Sequence, residues 1–210
     1  MSSTGRVPAQ GTLSGLARER HPDDFYRTPR WAVEALLGRV GYGLEGPILE
    51  PGCGDGAILE VLRDHQHGPL LGVEKDPERC LQARLAIDTG ATVCTDFLGE
   101  DLAGDLAQAA PAYLRPRAAI SNPPFRLAQA FIEQTLDVVE PGGCCWFLLR
   151  LAFLAGQRRA ASGLWEHLAA VYVLPRRPSF TGDGTDSCDY AWFEFRAGSL
   201  ELARLEHLGL

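Results

Sequence analysis

Pro47-Ile48-Leu49-Glu50-Pro51-Gly52-Cys53-Gly54-Asp55-Gly56, followed by Ala57 to Asp64, is the stretch that decides the fold. Pro47 to Glu50 is a short apolar run closed by a carboxylate and reads as a strand. Glycines at 52, 54 and 56 let the backbone turn sharply and come close to a ligand. Ala57 to Asp64 then reads as a helix whose free N–H groups face that ligand. A Gly-x-Gly-x-Gly run is weak by itself and fits a dehydrogenase as well; its place between a strand and a helix is what gives it meaning.

The same alternation continues outward. Leu70-Leu71-Gly72-Val73-Glu74 reads as a second strand, and Glu74 falls about twenty residues beyond the glycine loop, where nucleotide-binding sheets place an acid on ribose hydroxyls. Pro77 to Ile87 reads as a helix and Ala91 to Thr95 as a third strand, leading to Asp96 and Phe97, which are placed to hydrogen-bond and stack on an adenine. Upstream, Thr28 and Pro29 read as the N-cap and first residue of a helix carrying Trp31, Val33, Leu36 and Leu37. Strands alternating with helices predict a parallel sheet covered on both faces.

Arg117 to Ile120 reads as a fourth strand, and Leu127 to Val139 as a helix. Between them stand Ser121-Asn122-Pro123-Pro124-Phe125. Ligands of open α/β sheets lie at the carboxyl ends of strands, so this turn belongs at the site. Pro123 has a fixed φ, gives no N–H and biases Asn122 toward extended backbone. The Asn122 amide oxygen and the Pro123 carbonyl are then two converging acceptors, suited to a planar amino group. Pro124 stiffens the turn and Phe125 adds a flat apolar wall. Cys144 to Leu149 reads as a fifth strand buried on both faces. Arg158 to Ala169 reads as a helix, Val171 to Leu174 as a sixth strand and Tyr190 to Phe195 as a seventh. The polar, glycine-rich run 176–186 reads as a functional loop over the site.

Composition bounds the remainder. A chain of 210 residues with 46% hydrophobic content suits one domain; residues 1–22 read as a flexible tail and 23–210 as the folded unit. Neither a signal peptide nor a membrane span is expected, which points to the cytoplasm. The six cysteines lack metal or disulfide spacing, and no metal is expected. The formal charge of −7 argues against bulk attraction to nucleic acid, but residues 150–180 carry five arginines against Glu166, a local +4. Arg150, Arg158, Arg159 and Arg177 are the expected substrate-facing rim.

With these motifs placed, residues 23–196 resemble the class I S-adenosylmethionine-dependent methyltransferases, and among them the amino-methyltransferases acting on adenine N6 in DNA, closest to small phage-type enzymes. The resemblance implies a Rossmann-like, doubly wound, seven-stranded sheet, mostly parallel with an antiparallel last strand. It implies S-adenosyl-L-methionine as cofactor, held by Glu50, Gly52, Gly54, Gly56, Glu74, Asp96 and Phe97. The segment Phe25-Tyr26-Arg27-Thr28-Pro29 looks like the motif that closes over the methionine moiety, which adds Tyr26, Thr28 and Pro29; Asn122 stands where cofactor and substrate meet. Asn122, Pro123, Pro124 and Phe125 form the implied catalytic turn, and Phe180 stacks on an extruded base beside Phe125. The implied reaction is direct displacement, with no metal and no covalent intermediate.

Only 15 residues follow Phe195, so no separate target-recognition domain is expected, and target choice would fall to a partner subunit or a dimer. RNA adenine, the cytosine 4-amino group and a protein glutamine are alternative acceptors for the same chemistry. A catalytically silent cofactor-binding partner subunit is a further alternative.

Overall fold

A computed structural model describes residues 25–41, 44, 46–87, 90–110, 115–180, 184–198 and 203–209. The expected tail over residues 1–22 lies outside them, as do residues 181–183 of the polar loop.

Eight strands form one sheet: β1 (Ile48–Pro51), β2 (Leu70–Glu74), β3 (Gly90–Cys94), β4 (Ala118–Ser121), β5 (Cys144–Arg150), β6 (Leu168–Val173), β7 (Tyr190–Arg196) and β8 (Arg204–His207). Their order is β3-β2-β1-β4-β5-β7-β6-β8. β7 alone runs against the rest, antiparallel to both β5 and β6, while β8 lies parallel to β6. The sheet thus has eight strands rather than seven, and the reversed strand is not the last. β8 has no apolar alternation in Arg-Leu-Glu-His; it sits at the sheet edge with most of its residues exposed, so no buried face marks it in the sequence.

The helices are α1 (Arg30–Val40), α2 (Ala57–Asp64), α3 (Pro77–Ala86), α4 (Leu102–Ala109), α5 (Ala128–Val138) and α6 (Gln157–Ala160). α1 to α3 pack with one apolar cluster and α4 and α5 with another. β5 shows why its apolar run is unbroken: Trp146 and Leu148 enter the first cluster, Cys145, Phe147 and Leu149 the second. Both faces of the sheet are therefore covered.

α4 has no counterpart in the sequence reading, because Leu102 and Leu106 are its only buried residues and Gly104 lowers its helix propensity. The helix expected over Arg158 to Ala169 is only α6 and a short 3-10 turn, Leu164–His167. Gly163 breaks it at φ 75°, and Leu168 already pairs with Phe195 in the sheet. At α1 the N-cap is Pro29, not Thr28, and no side chain caps it. Among the described residues no helix is long and apolar enough to cross a membrane.

Strand order turns outward in opposite directions from β1 and β4, which makes the gap between them the place where a ligand fits. Their pairing ends at Leu49 with Ala119. Beyond it, the buried Ser121 hydroxyl donates to the Pro51 carbonyl at 2.7 Å and holds the two strand ends together as the chains leave the sheet.

Candidate active site

The glycine loop leaves β1 and enters α2 with Gly52, Gly54 and Gly56 at φ 65°, 54° and 84°, a region costly for other residues. Their roles differ. A Cβ on Gly56 would lie 2.9 Å from the Ala83 backbone, so this glycine lets α3 pack against the start of α2 and does not line the cleft. A Cβ on Gly54 would lie 2.3 Å from the Phe25 ring. The Gly54 N–H donates to Glu74 Oε2 at 2.9 Å, which ties the loop to the end of β2.

An open cleft of about 800 Å³ lies over this loop. Of the residues expected to hold a cofactor, Tyr26, Thr28, Glu50, Gly52, Glu74, Asp96, Phe97 and Asn122 line it; Pro29, Gly54 and Gly56 do not. Pro29 caps α1 instead. Phe97 is buried against Phe131, ring centroids 5.3 Å apart, and both line the cleft. Asp96 is exposed, and its Oδ1 accepts from the Leu98 N–H.

The two strand-end carboxylates have different surroundings. Glu74 accepts from the N–H groups of Gly54 and Asp76, and Arg79 stands 3.5 Å away. Glu50 has one bond, from the Leu59 N–H at 3.2 Å; burial, offset only in part by that bond, pushes its carboxyl well above the usual range, and the nearby Asp55 and Glu74 add to the shift. Asp55, which the sequence reading passed over, belongs to the cleft as well. Its Oδ2 accepts from Arg27 at 2.6 Å, while its Oδ1 is buried without a partner. An acid inside the glycine loop was a signal that could have singled it out.

Asn122 follows β4. Its Nδ2 donates to the Tyr26 carbonyl and to Thr28 Oγ1, both at 3.0 Å, and its Oδ1 is buried without a partner. Pro124 lines the cleft; Pro123 is buried and does not. Phe125 turns to the other side, where its ring stacks on Tyr26 at 5.6 Å and 21°. Phe180 and Tyr190 complete this cluster, 5.2 Å apart. Phe125 and Phe180 are thus brought together as expected, 6.4 Å apart and edge to face. They touch each other and Tyr26, so a base between them must part them.

Of the expected rim, Arg150 lies 4.7 Å over the Phe125 ring and donates to the Tyr190 hydroxyl, which itself donates to Asp186. Arg159 donates to the carbonyls of Phe153 and Ala155 and covers the Phe153 ring. Arg177 pairs with Asp189 at 2.8 Å. Arg158 is exposed on α6. Three of the four rim arginines thus have partners within the protein, and Arg158 and Arg177 are exposed.

No known protein family profile and no curated protein sequence matches the chain. Solved structures do. The chain superposes with TM-score 0.64 on a protein from Listeria monocytogenes provisionally assigned as a class I S-adenosylmethionine-dependent methyltransferase, at 16% identity, covering 93% of this chain and 69% of that one. A protein from Pyrococcus horikoshii, provisionally assigned as an RNA methyltransferase, gives 0.63 at 16% identity, covering 88% and 93%. The type I restriction enzyme EcoKI M protein gives 0.57 at 17% identity, covering 83% of this chain and 44% of that one. At such identities the likeness defines the fold: that of the class I methyltransferases.

Proposed function

We propose that the chain is an S-adenosylmethionine-dependent methyltransferase that acts on an exocyclic amine, with adenine N6 in DNA as the substrate. The observation that carries this reading is Asn122: its two amide hydrogens are taken, and its oxygen is buried, unpartnered and at the edge of the cleft. A buried acceptor without a donor is costly, and an arriving amine supplies one.

The chemistry of the cleft favours a cationic cofactor over a dinucleotide. Glu50, Asp55, Glu74 and Asp96 all line it. Arg27, Lys75 and Arg79 line it as well as the acids, but Arg27 is paired with Asp55 and Arg79 stands at Glu74, and it is Asp55 that stands beside the start of α2 where a pyrophosphate would otherwise bind. An ammonium group suits the unpartnered Asp55 Oδ1, and ribose hydroxyls suit the remaining lone pairs of Glu74. S-adenosylmethionine, when bound, supplies an electrophilic methyl group. Asn122 Oδ1 would then accept from the substrate amine, orient its lone pair and stabilise the positive charge that develops on nitrogen as the N–C bond forms and the C–S bond breaks, the sulfur leaving as a neutral thioether and the extra proton passing from nitrogen to solvent. Phe125, Phe180 and Tyr26 are the walls for the base, and extrusion from a duplex costs a few kcal/mol, offset by stacking.

Residues 23–210 act as one catalytic domain in the cytoplasm in this reading. Because most of the rim arginines already pair within the protein, a partner subunit or a dimer supplies part of the grip on the polymer. The test is incubation with methyl-labelled cofactor and a panel of DNA, RNA and protein substrates, with the methylated atom located by mass spectrometry. Label on adenine N6 of DNA is expected. Transfer to RNA, to cytosine N4 or to glutamine redirects the substrate, and no transfer together with tight nicotinamide nucleotide binding overturns the reading.

A further inference from the structure

The proposed chemistry depends on which end of the Asn122 amide faces the substrate, since its oxygen accepts and its NH2 donates. The Tyr26 carbonyl, which can only accept, decides it, and the Thr28 hydroxyl, which can accept or donate, holds the amide in that setting. The Tyr26 carbonyl and Thr28 Oγ1 each take an Nδ2 hydrogen at 3.0 Å. Thr28 is 4% exposed, so water does not replace it easily. Pro29 biases the preceding Thr28 toward extended backbone. At its other end the segment is fastened by Arg27 to Asp55 and Glu60, and by the Tyr26 ring to Phe125. If the amide turned over, Oδ1 would face the Tyr26 carbonyl, acceptor against acceptor.

We infer that Thr28, together with the Tyr26 carbonyl, is a positioning residue for Asn122, setting the amide with its oxygen toward the substrate amine. This rests on the amine-methylation reading and differs from the cofactor contact that the family resemblance implies for Thr28.

Two variants separate the roles. Thr28→Val replaces the hydroxyl by a methyl group of similar shape, and Thr28→Ser keeps the hydroxyl. In 15N-labelled protein the Asn122 side-chain NH2 pair is identified by its loss in Asn122→Ala. Its hydrogens should exchange at least about tenfold more slowly than those of an exposed amide, and Thr28→Val should remove most of that protection while Thr28→Ser keeps it. With saturating S-adenosylmethionine and adenine-containing DNA, Thr28→Val should lower kcat about tenfold, the scale of one neutral hydrogen bond, with cofactor Kd within about twofold. Thr28→Ser should recover turnover, and Thr28→Val should add nothing to Asn122→Ala.

Fast exchange in the wild type, protection that survives Thr28→Val, or a Thr28→Val defect confined to cofactor affinity overturns the inference. Asn122→Ala at the wild-type rate overturns the functional reading instead, and the exchange measurement still decides the orientation of the amide.

Discussion

The ends of β1, β2 and β4 and the segment 150–189 flank one site, yet they use their polar groups in opposite ways. Around the glycine loop, backbone N–H groups are satisfied by Glu50 and Glu74, and two buried oxygens, on Asp55 and Asn122, are left without donors. Along the described part of segment 150–189 three arginines are matched at home, Arg150 to Tyr190 and Asp186, Arg159 to two carbonyls and Arg177 to Asp189, while Arg158 is exposed and Ser179 Oγ is the one buried side-chain oxygen there without a partner. The first region leaves a carboxylate and an amide oxygen open to a ligand; the second spends most of its charges on its own contacts. Desolvated, unpaired acceptors mark a binding site more sharply than a count of basic residues does, because a surface arginine pairs at little cost with the nearest acid.

The sharpest way to break this contrast is Asn122→Ala. Loss of one preorganised acceptor should lower kcat by about a hundredfold or more, with melting temperature and cofactor affinity near wild type. Turnover at the wild-type rate in a folded, cofactor-binding variant would remove the centre of the proposal. Asn122→Asp sharpens it further: a second oxygen would face the Tyr26 carbonyl, so this variant should also loosen segment 25–29, seen as faster proteolysis near Arg27.

Next comes Gly54→Val. The left-handed φ of 54° and a Cβ position 2.3 Å from the Phe25 ring force either the loop or Phe25 to move. S-adenosylmethionine binding measured by calorimetry should be lost. Retained affinity would mean that the cofactor does not depend on this loop.

Glu74→Ala should weaken cofactor binding by about 1–3 kcal/mol, from lost ribose contacts and a loop released from its Gly54 tie. Unchanged affinity would place Glu74 among purely structural residues.

Glu50 gives a pH signature. Its folded pKa is raised, so between the ordinary carboxylate range and that higher value the folded state holds a proton the unfolded chain has released. Stability should therefore be greatest at low pH, as far as this group is concerned, and fall as pH rises through that window. Glu50→Gln, neutral throughout and still an acceptor for Leu59, should flatten that part of the melting-temperature profile. An identical profile in both proteins would contradict the raised pKa of Glu50.

The smallest effects belong to the arginines. Arg158→Ala should raise the KM for DNA a few-fold and reduce its salt dependence, leaving stability alone. Arg159→Ala should instead cost about 1 kcal/mol of stability, because it removes bonds to the Phe153 and Ala155 carbonyls. If both act on KM alone, the segment is a polymer-binding rim after all.

The sequence by itself determined the parallel core and its ligand edge. Glycines at 52, 54 and 56 with carboxylates at 50 and 74 demand backbone geometry and strand spacing that few folds supply, and the unbroken apolar run of β5 could only be buried on both faces. Asn122-Pro123-Pro124 was legible because proline restricts the turn locally. Edge strand β8 and helix α4 were not, since neither buries enough side chains to impose a period. What only the tertiary structure decided are the contacts between distant segments. Thr28 holds Asn122 across 94 positions and Arg27 holds Asp55 across 28. Hydrogen-bond partners so far apart follow from how the segment before α1 settles on the sheet, and residue type alone says that an arginine or a threonine will find a partner without saying which.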